Sequence, residues 1–160
     1  GAILATWVLA SLATVLLLRR PAVDAPAMAM GTCFGNGLML GLPLVIEVAT
    51  PAGPVGLLHA DCPFSSWQGL LDQLDAGVSG GRLRAIKNVC LWSRRRIERL
   101  DESGVEDLVA LVVGHTPVGL PTRLGNVYYI DTGGWYPDEG GFFTLLDLHT
   151  LMPLPPGTVR

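Results

Sequence analysis

Two of the three histidines in this 160-residue chain stand at the ends of short apolar runs. Loops held by rigid elements are where function concentrates. His59 closes Val55-Gly56-Leu57-Leu58, and His115 follows Leu111-Val112-Val113-Gly114. Aliphatic and β-branched residues suit buried strands. Gly114 permits a sharp turn, and Pro117 prevents the second strand from running on. The separation of the two histidines is what a strand–helix–strand crossover requires. In a parallel sheet both would leave the same carboxyl edge, where open α/β sheets hold ligands. Neutral imidazole is a common metal ligand, so two on one edge suggest a shared ion. Two donors do not complete a site, because a bound metal normally takes at least three protein ligands. For either histidine alone, a core side chain satisfied by one backbone carbonyl accounts for the pattern as well.

Other residues near these runs have chemical and bland readings side by side. Arg94 opens Arg94-Arg95-Arg96, followed by Glu98 and Arg99; such a charge run usually forms a solvated helix face. Asp61, two residues beyond His59, either orients that imidazole or caps the turn that follows. Asp131-Thr132-Gly133 reads as a strand-end turn shaping the wall of the site, and no second copy exists to make a carboxylate dyad. His149 precedes a Pro-rich tail and is expected to be exposed. His59-x-x-Cys62 would be half of a zinc site, and no other half is present.

The elements that must position these residues can be read from periodicity and turn chemistry. Leu44–Val48 and 55–59 form strands joined by a turn at Pro51-Ala52-Gly53-Pro54. Trp67, Leu70, Leu71 and Leu74 have helical spacing. A glycine-rich loop is expected over 76–84, a short helix over 87–91, and a strand over 109–113. Strands at 126–131 and 142–148 are expected to close the same sheet, with the helices on one face. Pro21 to Gly37 lacks any sustained period and reads as a loop.

Four blocks in order, Leu57–Phe64 (LLHADCPF), Leu91–Ile97 (LWSRRRI), Val112–Pro117 (VVGHTP) and Gly125–Gly133 (GNVYYIDTG), are followed by Gly141–Leu148 (GFFTLLDL). Together they resemble the calcineurin-like metallophosphoesterases. The resemblance is to the phosphoprotein phosphatase branch, typified by the bacteriophage lambda protein phosphatase and symmetrical diadenosine-tetraphosphatases. It covers about Leu42 to Leu148 and implies an α+β fold, the C-terminal half of a four-layer αββα sandwich. The implied activity is phosphoester hydrolysis by a metal-activated water, with two divalent ions, manganese being expected, in the complete domain. By this likeness His59 and His115 match the two histidine ligands of the second metal, and Arg94 matches the arginine that grips the substrate phosphate. Asp61 would stand behind His59. The substrate would be a phosphoprotein or a dinucleotide.

The departures matter as much. The family's Asp-x-His, Gly-Asp-x-x-Asp-Arg-Gly and Gly-Asn-His-Glu motifs do not occur. They carry the remaining metal ligands, so this sequence is expected to be the C-terminal portion of a phosphatase domain (residues 41–150) and a poor enzyme by itself. A noncatalytic remnant serving as an interaction surface is the alternative.

Residues 2–18 carry no charge and are followed by Arg19-Arg20. They fit a buried helix within a 1–40 segment, or a membrane span at the short limit of length. Positive charges after the apolar run do not suit a secretory signal. Charged residues make up only 16% of the chain against 49% hydrophobic, below the usual quarter. That balance fits a domain whose apolar surface belongs against further chain. A net charge of −3 gives no reason to invoke nucleic acid. Three cysteines, Cys33, Cys62 and Cys90, form no disulfide framework and suit a reducing cytoplasm.

Overall fold

The computed structural model describes residues 45–154. The apolar run at 2–18, the loop expected over 21–37 and Cys33 lie outside the described residues. Strand β1, Ile46–Thr50, turns at Pro51-Ala52 into β2, Gly53–Leu58. Helices α1 (Trp67–Asp75) and α2 (Gly80–Trp92) and the single turn α3 (Arg95–Glu98) follow. Then come β3 (Ala110–Val113), β4 (Thr122–Leu124) and β5 (Val127–Tyr129). A short pair, β6 (Leu146–Asp147) and β7 (Met152–Pro153), ends the described chain.

The sheet is mixed, with five strands in the order β1-β2-β3-β5-β4. Its centre is parallel, β2 pairing with β3 and β3 with β5, while β1 and β4 are antiparallel edges. The crossover from β2 to β3 carries all three helices, as a parallel connection demands. Leu58 pairs with Val113, so the two strands end level with one another. Both histidines therefore emerge at one carboxyl edge. The fold is α+β, as expected.

Alternation along the central strands divides the core. Leu58, Leu111, Val113, Val127 and Tyr129 face a cluster with Trp67, Leu70, Ile86 and Cys90 from the helices. Val55, Ala110 and Val112 face the other way, against Leu146, Leu148 and Leu151 of the C-terminal hairpin region. Burial of each large apolar side chain contributes about 1.5–3 kcal/mol. Helix α1 docks closely because Gly56 has no side chain: a Cβ there would stand 3.0 Å from the Trp67 ring and 2.7 Å from Leu108. Trp67 also donates Nε1–H to Glu47 on β1 at 2.8 Å, and the Ser66 hydroxyl caps the helix by accepting from Gly69 N–H. The cap and the buried indole fix where α1 begins.

Two expectations are corrected. The segment 76–84 is not all loop, because α2 starts at Gly80 and runs thirteen residues. Leu83, Ile86 and Cys90 recur on one face, and the last two are buried. Packing of that face overrides the helix-weakening glycines at its start. Nor does 142–148 close the main sheet. Only Leu146–Asp147 is strand, paired with Met152–Pro153 in a separate two-stranded sheet. Asp147 accepts from the backbone N–H groups of His149 and Thr150, which turns the chain back on itself. Among the described residues no helix is long and apolar enough to cross a membrane.

Candidate metal and phosphate site

The ends of β2 and β3 are tied by backbone before any side chain is considered. Gly114 N–H donates to the His59 carbonyl at 3.0 Å, and Ala60 N–H donates to the Cys90 carbonyl at 2.8 Å. The second bond holds the start of the His59 turn against the end of α2. His115 itself sits in the left-handed region, at φ 64°. Histidine tolerates this better than most residues, though it is still uncommon. The turn breaks the strand and brings the ring over His59.

His59 Nε2 and His115 Nδ1 are 3.1 Å apart, with one nitrogen donating and the other accepting. The rings are tilted at 52°, their centroids 4.9 Å apart. Trp92, at the end of α2, sets its indole edge-on to His115 at 5.5 Å and is itself 53% exposed. Burial lowers the His59 pKa, opposed by the negative charge of Asp131. Burial also lowers that of His115, helped by the charges of His59 and Arg94 and opposed by a Trp92 backbone hydrogen bond and by Asp131. Both rings are thus held as neutral imidazoles at neutral pH, the form that can donate a lone pair. Asp131 follows β5 on the same edge, its side chain accepting from Gly133 N–H at 3.1 Å and its carbonyl from Val118 N–H at 2.8 Å.

Arg94 lies between α2 and α3, is exposed, and is close enough for His115 to feel its charge. Among the described residues its side chain makes no hydrogen bond or ion pair. The arginines after it are not a uniform solvated face. Arg95 and Arg99 are exposed, but Arg96 is 8% exposed and donates Nε–H to Asp61 at 3.0 Å. Its Nη1 reaches the Gly104 carbonyl at 3.3 Å and the Ser103 hydroxyl at 3.4 Å. Asp61 also accepts from Cys62 N–H at 2.8 Å. Asp61 therefore braces the turn after His59 through Arg96 and Cys62 N–H, as the capping alternative has it, and among the described residues its carboxylate makes no hydrogen bond to the imidazole. A buried pair of this kind tolerates loss of one partner poorly.

Two residues that hold the edge together, Arg96 and Asn126, gave no sequence signal of doing so. Arg96 and Asp61 pair across 35 positions. Asn126, in the β4–β5 turn, donates Nδ2–H to the Val105 and Leu108 carbonyls and accepts from Val105 N–H at 2.8 Å. It thereby satisfies the backbone of the loop leading into β3. Cys62 and Cys90 are buried free thiols. Burial pushes the Cys62 thiol up and Cys90 to about 12, so neither is a reactive thiolate. His149 is exposed, in the β6–β7 turn.

Two nitrogens each about 2.1 Å from one ion at a tetrahedral angle would stand about 3.4 Å apart. The observed 3.1 Å between the imidazole nitrogens is close to that separation. The nitrogen that donates in this contact would have to pass its proton to the other nitrogen of its ring before both could face one ion. Among the described residues no third His, Cys, Asp or Glu joins them in a ligand group. No family model matches the chain.

Proposed function

We propose that this chain carries one side of a metal-dependent phosphoester hydrolase site of the calcineurin-like kind, with His59 and His115 as metal ligands and Arg94 as the phosphate-gripping group. The observation that carries the reading is the convergence of two neutral imidazoles at one carboxyl edge, 3.1 Å apart. A divalent ion, manganese first among candidates, supplies positive charge and a water of lowered pKa. The residues of this chain do the rest of what is visible. His59 and His115 offer lone pairs from a backbone-tied edge. The Arg94 fork suits two phosphoryl oxygens, and among the described residues it has no partner that would hold it elsewhere. Trp92 walls one side of His115, and Asp131 balances positive charge along the edge. The substrate class is a phosphomonoester or phosphoanhydride, of a phosphoprotein or a dinucleotide. Packing of Leu146, Leu148 and Leu151 on the sheet face away from the helices supports a sandwich with a second layer there.

Manganese titrated into the isotopically labelled chain tests the assignment without requiring turnover. The expected result is paramagnetic broadening of the His59 and His115 ring signals, with His149 spared, and loss of that selectivity in His115→Ala. Aryl-phosphate hydrolysis with manganese should fall in the same variant and in Arg94→Lys. Broadening that is uniform across the three histidines, or that survives His115→Ala, would refute the ligand pair.

A further inference from the structure

On the other side of the arginine turn lies a pocket of about 320 Å³ that the reading above does not use. Pro63, Phe64 and Val89 give it an apolar wall, and Arg95, Arg96 and Arg99 converge on it. Arg94 is not part of its lining. Successive arginines thus serve different places: Arg94 lies near His115, while the next two belong to this pocket.

Arg96 is the informative residue. It is more than nine-tenths buried, yet its hydrogen bonds use only Nε and Nη1. Among the described residues Nη2 donates to nothing. Unsatisfied buried N–H groups are costly and ask for a partner. Asp61, which also lines the pocket, uses Oδ1 for both of its bonds and, among the described residues, leaves Oδ2 without one. An open pocket with, among the described residues, a free donor and a free acceptor on buried side chains suits a ligand that can accept and donate at once. The three arginines outnumber the lining aspartates, Asp61 and Asp101, by one, so that ligand is an anion. Arg95 and Arg99 make no ion pair among the described residues, in contrast to Arg96.

We infer that this pocket binds a protonated phosphoryl group, with Arg96 Nη2 and the two exposed arginines donating to its oxygens and Asp61 Oδ2 accepting its remaining hydroxyl. Sulfate offers the same oxygens without the proton and is repelled by Asp61. The group is either free phosphate or the phosphoryl end of a monoester. The inference stands apart from the metal-site reading, because the two sites share neither Arg94 nor the histidines.

Calorimetric titration of the full chain at pH 6 with a chelator present tests it, using inorganic phosphate, O-phosphoserine and sulfate. Phosphate should bind at least tenfold more tightly than sulfate, and the Arg96 Nε resonance should shift on binding. Binding of O-phosphoserine as well assigns a phosphoryl end group, and phosphate alone assigns the free ion. Arg95→Gln combined with Arg99→Gln should weaken binding about tenfold, while the pair Arg82→Gln with Arg84→Gln, outside the pocket lining, should leave it unchanged. Asp61→Asn, checked for folding by circular dichroism, should narrow the preference over sulfate. The inference falls if phosphate does not bind, if sulfate binds equally, or if the Arg82 and Arg84 pair weakens binding as much as the rim pair does. Loss of manganese binding in His115→Ala bears only on the other site.

Discussion

The sheet edge that carries the histidines and the C-terminal segment from Gly133 to Pro153 are held by different forces. Along β2, β3 and β5, Val55, Leu111, Val113 and Val127 are essentially excluded from solvent. The C-terminal segment exposes Trp135 at 64%, Phe143 at 79% and Met152 at 63%. What fixes it locally is backbone fit: Phe142 N–H donates to the Thr132 carbonyl at 3.1 Å, and the Thr132 hydroxyl returns a bond to the Phe142 carbonyl. Burial makes the first region rigid as a block, so groups at its end inherit that rigidity. Hydrogen bonds and glycine contacts, together with Leu146, Leu148 and Leu151 against the sheet, hold the second as a strap, which is expected to open before the block unfolds.

Removing a load from the block should be costly everywhere in it. Asp61→Ala leaves the Arg96 charge buried without its partner and should cost about 3–5 kcal/mol. Asp101→Ala, whose carboxylate is 46% exposed and 3.9 Å from Arg96, should shift stability far less, because solvent screens that pair. Equal shifts of the denaturation midpoint for the two would erase the distinction between buried and surface pairing. Leu111→Ala, which empties a fully buried position in β3, should cost about 2–5 kcal/mol and appear in global unfolding.

In the strap the effect should be smaller and local. A methyl at Gly141 would collide with the Gly133 carbonyl, so Gly141→Ala should cost about 1–3 kcal/mol by overpacking. Amide exchange should then accelerate at Phe142 while Leu111 and Val113 stay protected. Acceleration at all three would mean that strap and block unfold together. At the low end, Phe143→Ala should change stability by less than about 0.5 kcal/mol, since the ring is mostly exposed.

A pH titration probes the block from its histidine end. Both His59 and His115 have lowered pKa values, chiefly through burial. The unfolded chain therefore binds protons more readily than the folded chain below about pH 6.5. Metal-free stability should be fully present above that value and fall as the pH drops through the two folded pKa values. Replacing both histidines by asparagine should flatten the slope between pH 7 and 5. An unchanged slope would assign the acid sensitivity to other groups.

Much of the block was legible because its signals are local. Apolar runs ending in Gly or His gave β2 and β3, and the spacing of Trp67, Leu70, Leu71 and Leu74 gave α1. The parallel pairing that unites His59 and His115 followed from crossover geometry. The β4–β5 hairpin was missed, although Leu124 and Val127 pair across the two-residue turn Gly125-Asn126, a recognised hairpin signal. Helix α2 was read too short because Gly80 and Gly81 masked a buried face that only tertiary packing rewards. The pairing of Asp61 with Arg96 was not legible at all. Nothing in a run of three arginines says which one turns inward, since that depends on where α2 ends relative to the β2 turn.

His115 combines an imidazole with a left-handed backbone at φ 64°, a conformation that costs a side-chain-bearing residue roughly 1–2 kcal/mol relative to glycine. A library of variants sorted for folding alone would therefore enrich glycine or asparagine at this position. Sorting for ion capture would restore histidine against that drift. The frequency of histidine at 115 under the two regimes thus gives a direct reading of which task has shaped this turn.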